Sequence, residues 1–472
     1  MPAPKRYVVF KNHIFIIGFG SIGQGVLPLI LRHINVKPEQ ITIITADNRG
    51  KNVAKELEVA FVVDPLTPEN YRDVLGARLN KDDFVVNVSV DVSCVALIDL
   101  CQEKGALYLD TVIEPWAGFY TDPKLTPSQR SNYALREEAL ALKPKYKDGT
   151  TAIICHGANP GMVNHFIKQA LLNVAKDTGV KVTKPTTREG WGELAQQLGI
   201  KTIHIAERDT QVCSKPKEAD EFVNTWSIDG FCSEGNQPAE LGWGTHEKTL
   251  PPGSMRHANG CDAAIYLNRR GCTTRVRSWT PLEGSYHGFL ITHNEAISIA
   301  DYLTLRKGNK VTYRPTCNYA YHPCDDAVLS IHEMNGKNGK QQTRQRLMRD
   351  EIVDGLDELG VLLMGNERGV YWYGSRLSIK QTRKLVPYNN ATSLQVTIAA
   401  LTGMIWALEN PKRGIVEPEY MDYERIVELA TPYLGEVVGV WGNWTPIQDR
   451  GVLFPEDIDT ADPWQFKNIL VS

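Results

Sequence analysis

No run of apolar residues in this chain approaches twenty, so no segment reads as a membrane-spanning helix. The opening residues, Met1 to Lys11, lack the apolar core of a secretory signal, and the first apolar run already reads as a strand. Cys-x-x-Cys pairs and zinc-type spacings are missing as well. The nine cysteines are scattered, and an odd number without a secretory signal predicts reduced thiols in a cytoplasmic protein. A surplus of one charge is also lacking. A net charge of −3 over 472 residues leaves no electrostatic footprint for nucleic acid or an anionic membrane, and it does not repel a cationic ligand. Hydrophobic residues at 42% and charged residues at 23% exclude a largely disordered chain. The length exceeds what one hydrophobic core serves, so two or three domains are expected.

What is present is an alternation. Strand-like runs at His13–Ile17, Ile41–Thr45, Ala60–Val63, Phe84–Val90, Leu107–Asp110 and Ala152–Cys155 are separated by helical patterns. Those patterns are Ile22–His33, Gly50–Leu57, Pro68–Leu79 and Val92–Lys104, with Pro127–Leu142 as a charged amphipathic helix before the sixth strand. Strand and helix in turn predict parallel βαβ units, hence an α/β fold whose N-terminal part is a Rossmann-type doubly wound parallel sheet. From about Lys201 to Leu377, short β-like segments such as Gly288–Thr292 and Val370–Tyr373 dominate, interrupted by a helix at Ala296–Leu305. This reads as a second, mixed, β-rich α+β domain. The expected division is 1–160 for dinucleotide binding and 161–385 for substrate and dimerisation. Residues 386–472 are expected as a long apolar helix, Asn389–Glu409, and a tail, both packing back on the first domain.

The strand Ile14-Phe15-Ile16-Ile17 runs straight into Gly18-Phe19-Gly20-Ser21-Ile22-Gly23 and then a helix. In such a turn Gly18 makes the bend, Gly20 lets the backbone approach a pyrophosphate, and Gly23 lets helix and strand pack closely. Ser21 and Ile22 open the helix whose N-terminus faces the phosphate charge. A lone GxGxxG is weak, but one placed between a strand and a helix at the head of a βαβ series predicts dinucleotide binding. The ribose reader is less clean. The nearest acid after the second strand is Asp47, a solvated turn aspartate on the bland reading, and Arg49 beside it suits a 2′-phosphate, so NAD and NADP both stay open. Asn87, Ser89 and Asp91 follow the fourth strand, and Asp110, Thr111 and Glu114 follow the fifth. Each singly is compatible with a cap or turn, but together at strand ends they predict a ligand-facing set. Cys155–Gly161 ends the sixth strand and opens another helix near the expected nicotinamide.

Several longer strings are specific. Leu109-Asp110-Thr111-Val112-Ile113-Glu114-Pro115-Trp116, Gly157-Ala158-Asn159-Pro160-Gly161-Met162, His204-Ile205-Ala206-Glu207-Arg208-Asp209-Thr210 and Val223-Asn224-Thr225-Trp226-Ser227 resemble the bacterial homospermidine synthases. So do Pro238–Gly244, Thr292-His293-Asn294-Glu295, Tyr321-His322-Pro323-Cys324 and the tail Phe454–Thr460. The resemblance covers essentially the whole chain, and the wider relatives are the saccharopine dehydrogenase-like proteins. It implies a homodimeric transferase that joins two putrescines, or putrescine and a related amine, into homospermidine with loss of ammonia. NAD is implied as a recycled carrier: it takes hydride from the amine-bearing carbon, the imine exchanges with a second amine, and the hydride returns, with no net redox.

An aliphatic diamine is doubly protonated near neutral pH, since lysine-type amines titrate at roughly 10.4. Its site needs carboxylates for the ammonium groups, a base to free one amine, and an aromatic face for the remaining cation. By the resemblance, Glu114, Glu207, Asn159, Trp226, Glu234 and His293 line the substrate pocket. Glu295 lies in the same β-rich domain beside His293, and Asp91 and Asp357 take peripheral positions that guide an entering polyamine. Taken one at a time, a glutamate is most often a solvated surface charge and a tryptophan a core residue. Two alternatives compete. A net dehydrogenase of the saccharopine or carboxynorspermidine type needs guanidinium groups for α-carboxylates, and Arg208 is the only obvious one among these segments. A dinucleotide-binding protein without catalysis is the other. No metal is expected, because Tyr321–Asp326 has ligand-type residues but no second cluster at zinc spacing. Lys340–Arg349 reads as a solvated basic stretch.

Overall fold

The computed structural model describes residues 5–471. Its first sheet is built on β1 (Ile14–Ile17), whose four apolar side chains are all buried, as a strand covered on both faces requires. A turn leads into α1 (Ser21–His33), then come β2 (Ile41–Thr45), β3 (Ala60–Val63) and β4 (Phe84–Asn87). Next are α2 (Cys94–Lys104), β5 (Leu107–Asp110) and β6 (Ala152–Ile153). The strands lie in the order β3-β2-β1-β4-β5-β6, with Ile415–Val416 added beyond β6, and every pairing is parallel. The sequence order reverses at β1 and β4, so the crevice outside their carboxyl ends is where a ligand binds in such sheets. The helix expected over Pro68–Leu79 is present as a short π-helical segment, Arg72–Gly76. There Asn70 spends its side chain on the backbone of Thr67 and Pro65, a local alternative to helix, and Gly76 disfavours any helical continuation.

After α3 (Met162–Asp177) the chain enters a mixed sheet of ten strands. At its centre β7 (Thr202–Asp209) is buried along all eight residues. The helices α4 (Ile228–Asn236) and α5 (Asn294–Tyr302) come next. Strand β8 (Thr316–His322) runs parallel to β7 on one side, and β9 (Leu356–Met364) runs antiparallel on the other. β10 (Val370–Ser378) and then Glu436–Gly442 extend the sheet outward. One face of β9 and β10 is covered by α3. The other carries a cluster of Ala206, Leu362, Trp372, Trp444 and Trp464.

The long helix α6 (Ala391–Glu409) is capped by Asn390, whose side chain accepts the Ser393 N–H at 2.8 Å. It is long and apolar enough to cross a membrane, but 89% of that stretch is buried inside the protein. α6 does pack against α1, where Gly25 permits the close approach of Asn389. The tail corrects the expectation. Glu436–Gly442 is an edge strand of the second sheet, and Phe466 and Ile469 sit in a cluster with Ala239, Leu241 and Ile265. The aromatic anchors of the tail therefore bury against the β-rich domain, where open apolar surface lies, and not against the first.

Candidate active site

Gly18 ends β1 with φ of +83°, and a Cβ there would lie 2.7 Å from the Ser89 backbone. Gly23 is as tight, its added Cβ falling 2.7 Å from the Gly18 carbonyl. Gly20 differs: a Cβ there meets no protein atom within 4 Å, so the turn leaves an open cradle at the head of α1. No side chain caps that helix, so the amides of Ser21 and Ile22 open the cradle to an anion. This is the shape a dinucleotide pyrophosphate requires. Around it, Ser89 Oγ donates to Asn87 Oδ1 at 2.6 Å, and buried Asn87 Nδ2 reaches the Tyr108 hydroxyl at 3.4 Å. Thr111 comes after β5 and packs against Gly157 of the next turn. Asp47 stands past the end of β2, but Arg49 binds it at 2.7 Å, so the two candidate ribose readers hold each other.

A cluster of buried titratable side chains lies where the Asn159 turn meets β7 and β8. Asn159 Nδ2 donates to Glu207 Oε2 at 2.9 Å, and the Tyr319 hydroxyl donates to the same oxygen. Burial lifts the Glu207 carboxyl to about 7; the two donors and His293 oppose that rise, and Asp209 adds to it. His293 lies between two carboxylates, with Nε2 3.2 Å from Glu234 and Nδ1 3.2 Å from Glu295. Burial disfavours its charge, yet Glu295 and Glu234 together raise the imidazole to about 10, so it stays cationic. Trp226 is half-buried; its ring leans on Phe231 and its Nε1 donates to the Tyr321 hydroxyl at 3.0 Å. Glu114 is buried and held well above the usual carboxylate range by desolvation, then by Glu234, Asp91 and Asp110.

The structure thus brings Glu114, Asn159, Glu207, Trp226, Glu234, His293 and Glu295 together, with Asp91 exposed at the rim. Asp357 needs correcting. It is 0% exposed, directly opposite Asp209 in the β7–β9 pairing, and neither carboxylate oxygen has a hydrogen-bond partner. A side chain sealed under the sheet cannot guide an entering polyamine; it lies on the same face as Glu207 and Asp209. Arg208 alternates to the opposite face and pairs with Glu283 at 3.2 Å and Asp325 at 3.1 Å. Sequence reasoning missed Tyr319 and Tyr321. Their signal was the i, i+2 spacing on β8, which places both rings on one face, with Tyr321 paired to Glu207 in register. Among the described residues no group of His, Cys, Asp and Glu is placed to hold a metal.

Residues 14–153 match the saccharopine dehydrogenase NADP binding domain, and residues 157–443 match the saccharopine dehydrogenase C-terminal domain. The chain is 56% identical over 463 residues to homospermidine synthase from Blastochloris viridis, covering 97% of each chain. To the enzyme of the same name from Mesorhizobium japonicum it is 52% identical, covering 98% of this chain and 97% of that one. The chain belongs to the homospermidine synthase family. A solved structure of homospermidine synthase from Legionella pneumophila in complex with NAD superposes with a TM-score of 0.93 at 51% identity, covering 99% of both chains. Saccharopine dehydrogenase from Saccharomyces cerevisiae, at 9% identity, TM-score 0.52 and coverage of 91% of this chain and 99% of that one, shares the fold.

Within this family the open cradle gives a direct test. Gly20→Ala meets no protein atom within 4 Å, so the free protein still folds, with at most the small loss of a poorer helix cap. The added methyl enters the pyrophosphate space and weakens NAD binding by about tenfold or more, roughly 1.4 kcal/mol. Fluorescence titration with NAD checks this; an unchanged affinity places the phosphates elsewhere.

Proposed function

We propose that this chain is an NAD-dependent homospermidine synthase, a transferase that moves an aminobutyl group from one putrescine to a second putrescine or a related polyamine and releases ammonia. The observation that carries the reading is a set of buried carboxylates, Glu114, Glu207, Glu234 and Glu295, with Trp226 linked to Glu207 through Tyr321 and Tyr319, in a chain that also holds the Gly18–Gly23 cradle. In the pocket no guanidinium waits for an α-carboxylate, since Arg208 is engaged on the other face of the sheet. That weighs against a net dehydrogenase of the saccharopine type.

Held at the Gly18–Gly23 cradle, NAD would accept hydride from the amine-bearing carbon and return that hydride to the exchanged imine. The protein does the rest. Hydrogen leaves as hydride readily only from carbon bearing a neutral amine, so Glu207 takes a proton from the substrate ammonium. Trp226 offers its face to the iminium cation that develops, an attraction worth about 2 kcal/mol when desolvated. Glu114 and Glu234 hold the distal ammonium, and His293 keeps Glu234 and Glu295 apart and oriented. Asp91 at the rim attracts the polyamine inward. Loss of ammonia calls for a proton, which Glu207 returns.

Because Glu207 works as a carboxylate and burial lifts its carboxyl to about 7 in the free protein, kcat/KM rises with pH through that value and levels above it. A pH profile of kcat/KM for putrescine checks this; a profile with no limb between pH 5.5 and 8 removes Glu207 as the base. The nine described cysteines are all free thiols, which supports a cytoplasmic location, and we place the protein there as a homodimer. The reaction itself is tested by product analysis with putrescine and catalytic NAD. Homospermidine and ammonia without NADH accumulation are expected; accumulating NADH without homospermidine makes the protein a net dehydrogenase.

A further inference from the structure

Glu207 has two carboxylate oxygens, and the protein treats them differently. Asn159 Nδ2 and the Tyr319 hydroxyl both donate to Oε2, and neither reaches Oε1. Two residues along β8, the Tyr321 hydroxyl accepts the indole N–H of Trp226 at 3.0 Å. The Tyr319 and Tyr321 rings are stacked, 5.1 Å apart at 11°. Phe231 closes the far side, in contact with both Trp226 and Tyr321. An unbroken series of contacts therefore links the carboxylate to the aromatic face: Glu207, Tyr319, Tyr321, Trp226.

We propose that Tyr319 and Tyr321 are positioning residues that act as one unit: Tyr319, with Asn159, fixes Glu207 Oε2 and leaves Oε1 as the oxygen that takes the amine proton, while Tyr321 sets the indole edge of Trp226 at a fixed distance from it. The inference rests on the proposed reaction and deepens it. Base and cation face must address neighbouring atoms of one substrate, nitrogen and carbon, so their separation has to be set within fractions of an ångström. One rigid strand bearing two stacked rings does this, where two independent loops do not. The strand also explains why the pair is tyrosine. Phenylalanine keeps the stack but donates nothing to the carboxylate and accepts nothing from the indole.

The donor set has a consequence that packing alone does not. The groups facing Glu207 are Asp209, Asp357, His293, Tyr286, Tyr319 and Tyr321, with neutral Asn159. Among them Tyr319 is the donor that most favours the ionised carboxylate, and burial keeps its own phenol un-ionised well above the usual range. Removing that donor makes Glu207 harder to ionise.

The test compares kcat/KM–pH profiles of wild-type protein, Tyr319→Phe, Asn159→Ala and Tyr321→Phe, each first shown by melting to be folded. In Tyr319→Phe the acid limb moves up by about one pH unit, lowering kcat/KM near pH 6 by about tenfold, and the high-pH plateau recovers only in part because Glu207 has lost one of its two anchors. Asn159→Ala, which removes the other donor to the same oxygen, moves the limb in the same direction. In Tyr321→Phe the limb stays in place and turnover falls at every pH. An acid limb in Tyr319→Phe and Asn159→Ala that superposes on wild type overturns the inference, as does a limb displaced in Tyr321→Phe alone. Absence of homospermidine from the wild-type reaction refutes the proposed function, a result distinct from an active enzyme whose limb does not move.

Discussion

Glu207→Gln lowers kcat by roughly a hundred- to ten-thousand-fold, the range that general-base catalysis contributes. Glutamine keeps the shape and still accepts the hydrogen bonds of Asn159 and Tyr319 through its carbonyl, so the pocket holds together. What disappears is the group that the proposed function assigns to take the proton from the substrate ammonium. NAD binding is unaffected, because the cradle at Gly18–Gly23 is built from a different part of the chain. Steady-state rates together with NAD titration separate the two effects. A loss below tenfold moves the base to another residue, and a parallel loss of NAD affinity makes the change structural.

Trp226→Ala is the second large effect. If the indole stabilises a desolvated iminium by about 2 kcal/mol, turnover falls about thirtyfold from that interaction alone. Trp226→Phe retains an aromatic face against Phe231 but loses the hydrogen bond to Tyr321, so its loss is several-fold smaller. Putrescine turnover by the two variants decides it. Equal losses assign Trp226 to packing, since a phenyl ring then gives no advantage over a methyl group.

The first domain was legible because its signals are local. The run Ile14–Ile17 carries its own strand preference, and the glycines after it answer constraints measured within a few residues, such as the positive φ at Gly18. Five of the six expected strands fall within two residues of their observed limits, and Phe84–Asn87 is shorter because the chain leaves the sheet at Val88 to line the crevice. Glu114, Glu207, Trp226 and His293 were found through extended resemblance; spacing alone offers no reason to join residues from four separate elements.

What was not legible depends on contacts distant in sequence. Asp357 reads as one acid among others in Gly355-Leu356-Asp357-Glu358, and only its pairing with Asp209 buries it while Glu358 beside it points elsewhere, towards Arg376. Strand alternation separates Glu207 from Arg208, and it counts for nothing until both faces of β7 are known. The tail shows the same limit: Trp464, Phe466 and Ile469 announce that they will be buried, but the surface that receives them is assembled from Ala206, Trp372, Ala239 and Leu241. Tyr319 and Tyr321 look like ordinary core aromatics of a strand. Their hydroxyl partners, Glu207 and Trp226, come from elsewhere in the chain.

In the proposed reaction, hydride leaves one amine-bearing carbon and returns to the same carbon within a single cycle. Putrescine deuterated at both amine-bearing carbons, incubated with the protein and catalytic unlabelled NAD in the presence of unlabelled NADH, reads this directly by mass spectrometry. Homospermidine that keeps every deuterium and a pool of NADH that stays unlabelled are expected. Homospermidine lacking one deuterium, with label appearing in free NADH, contradicts the proposed reaction.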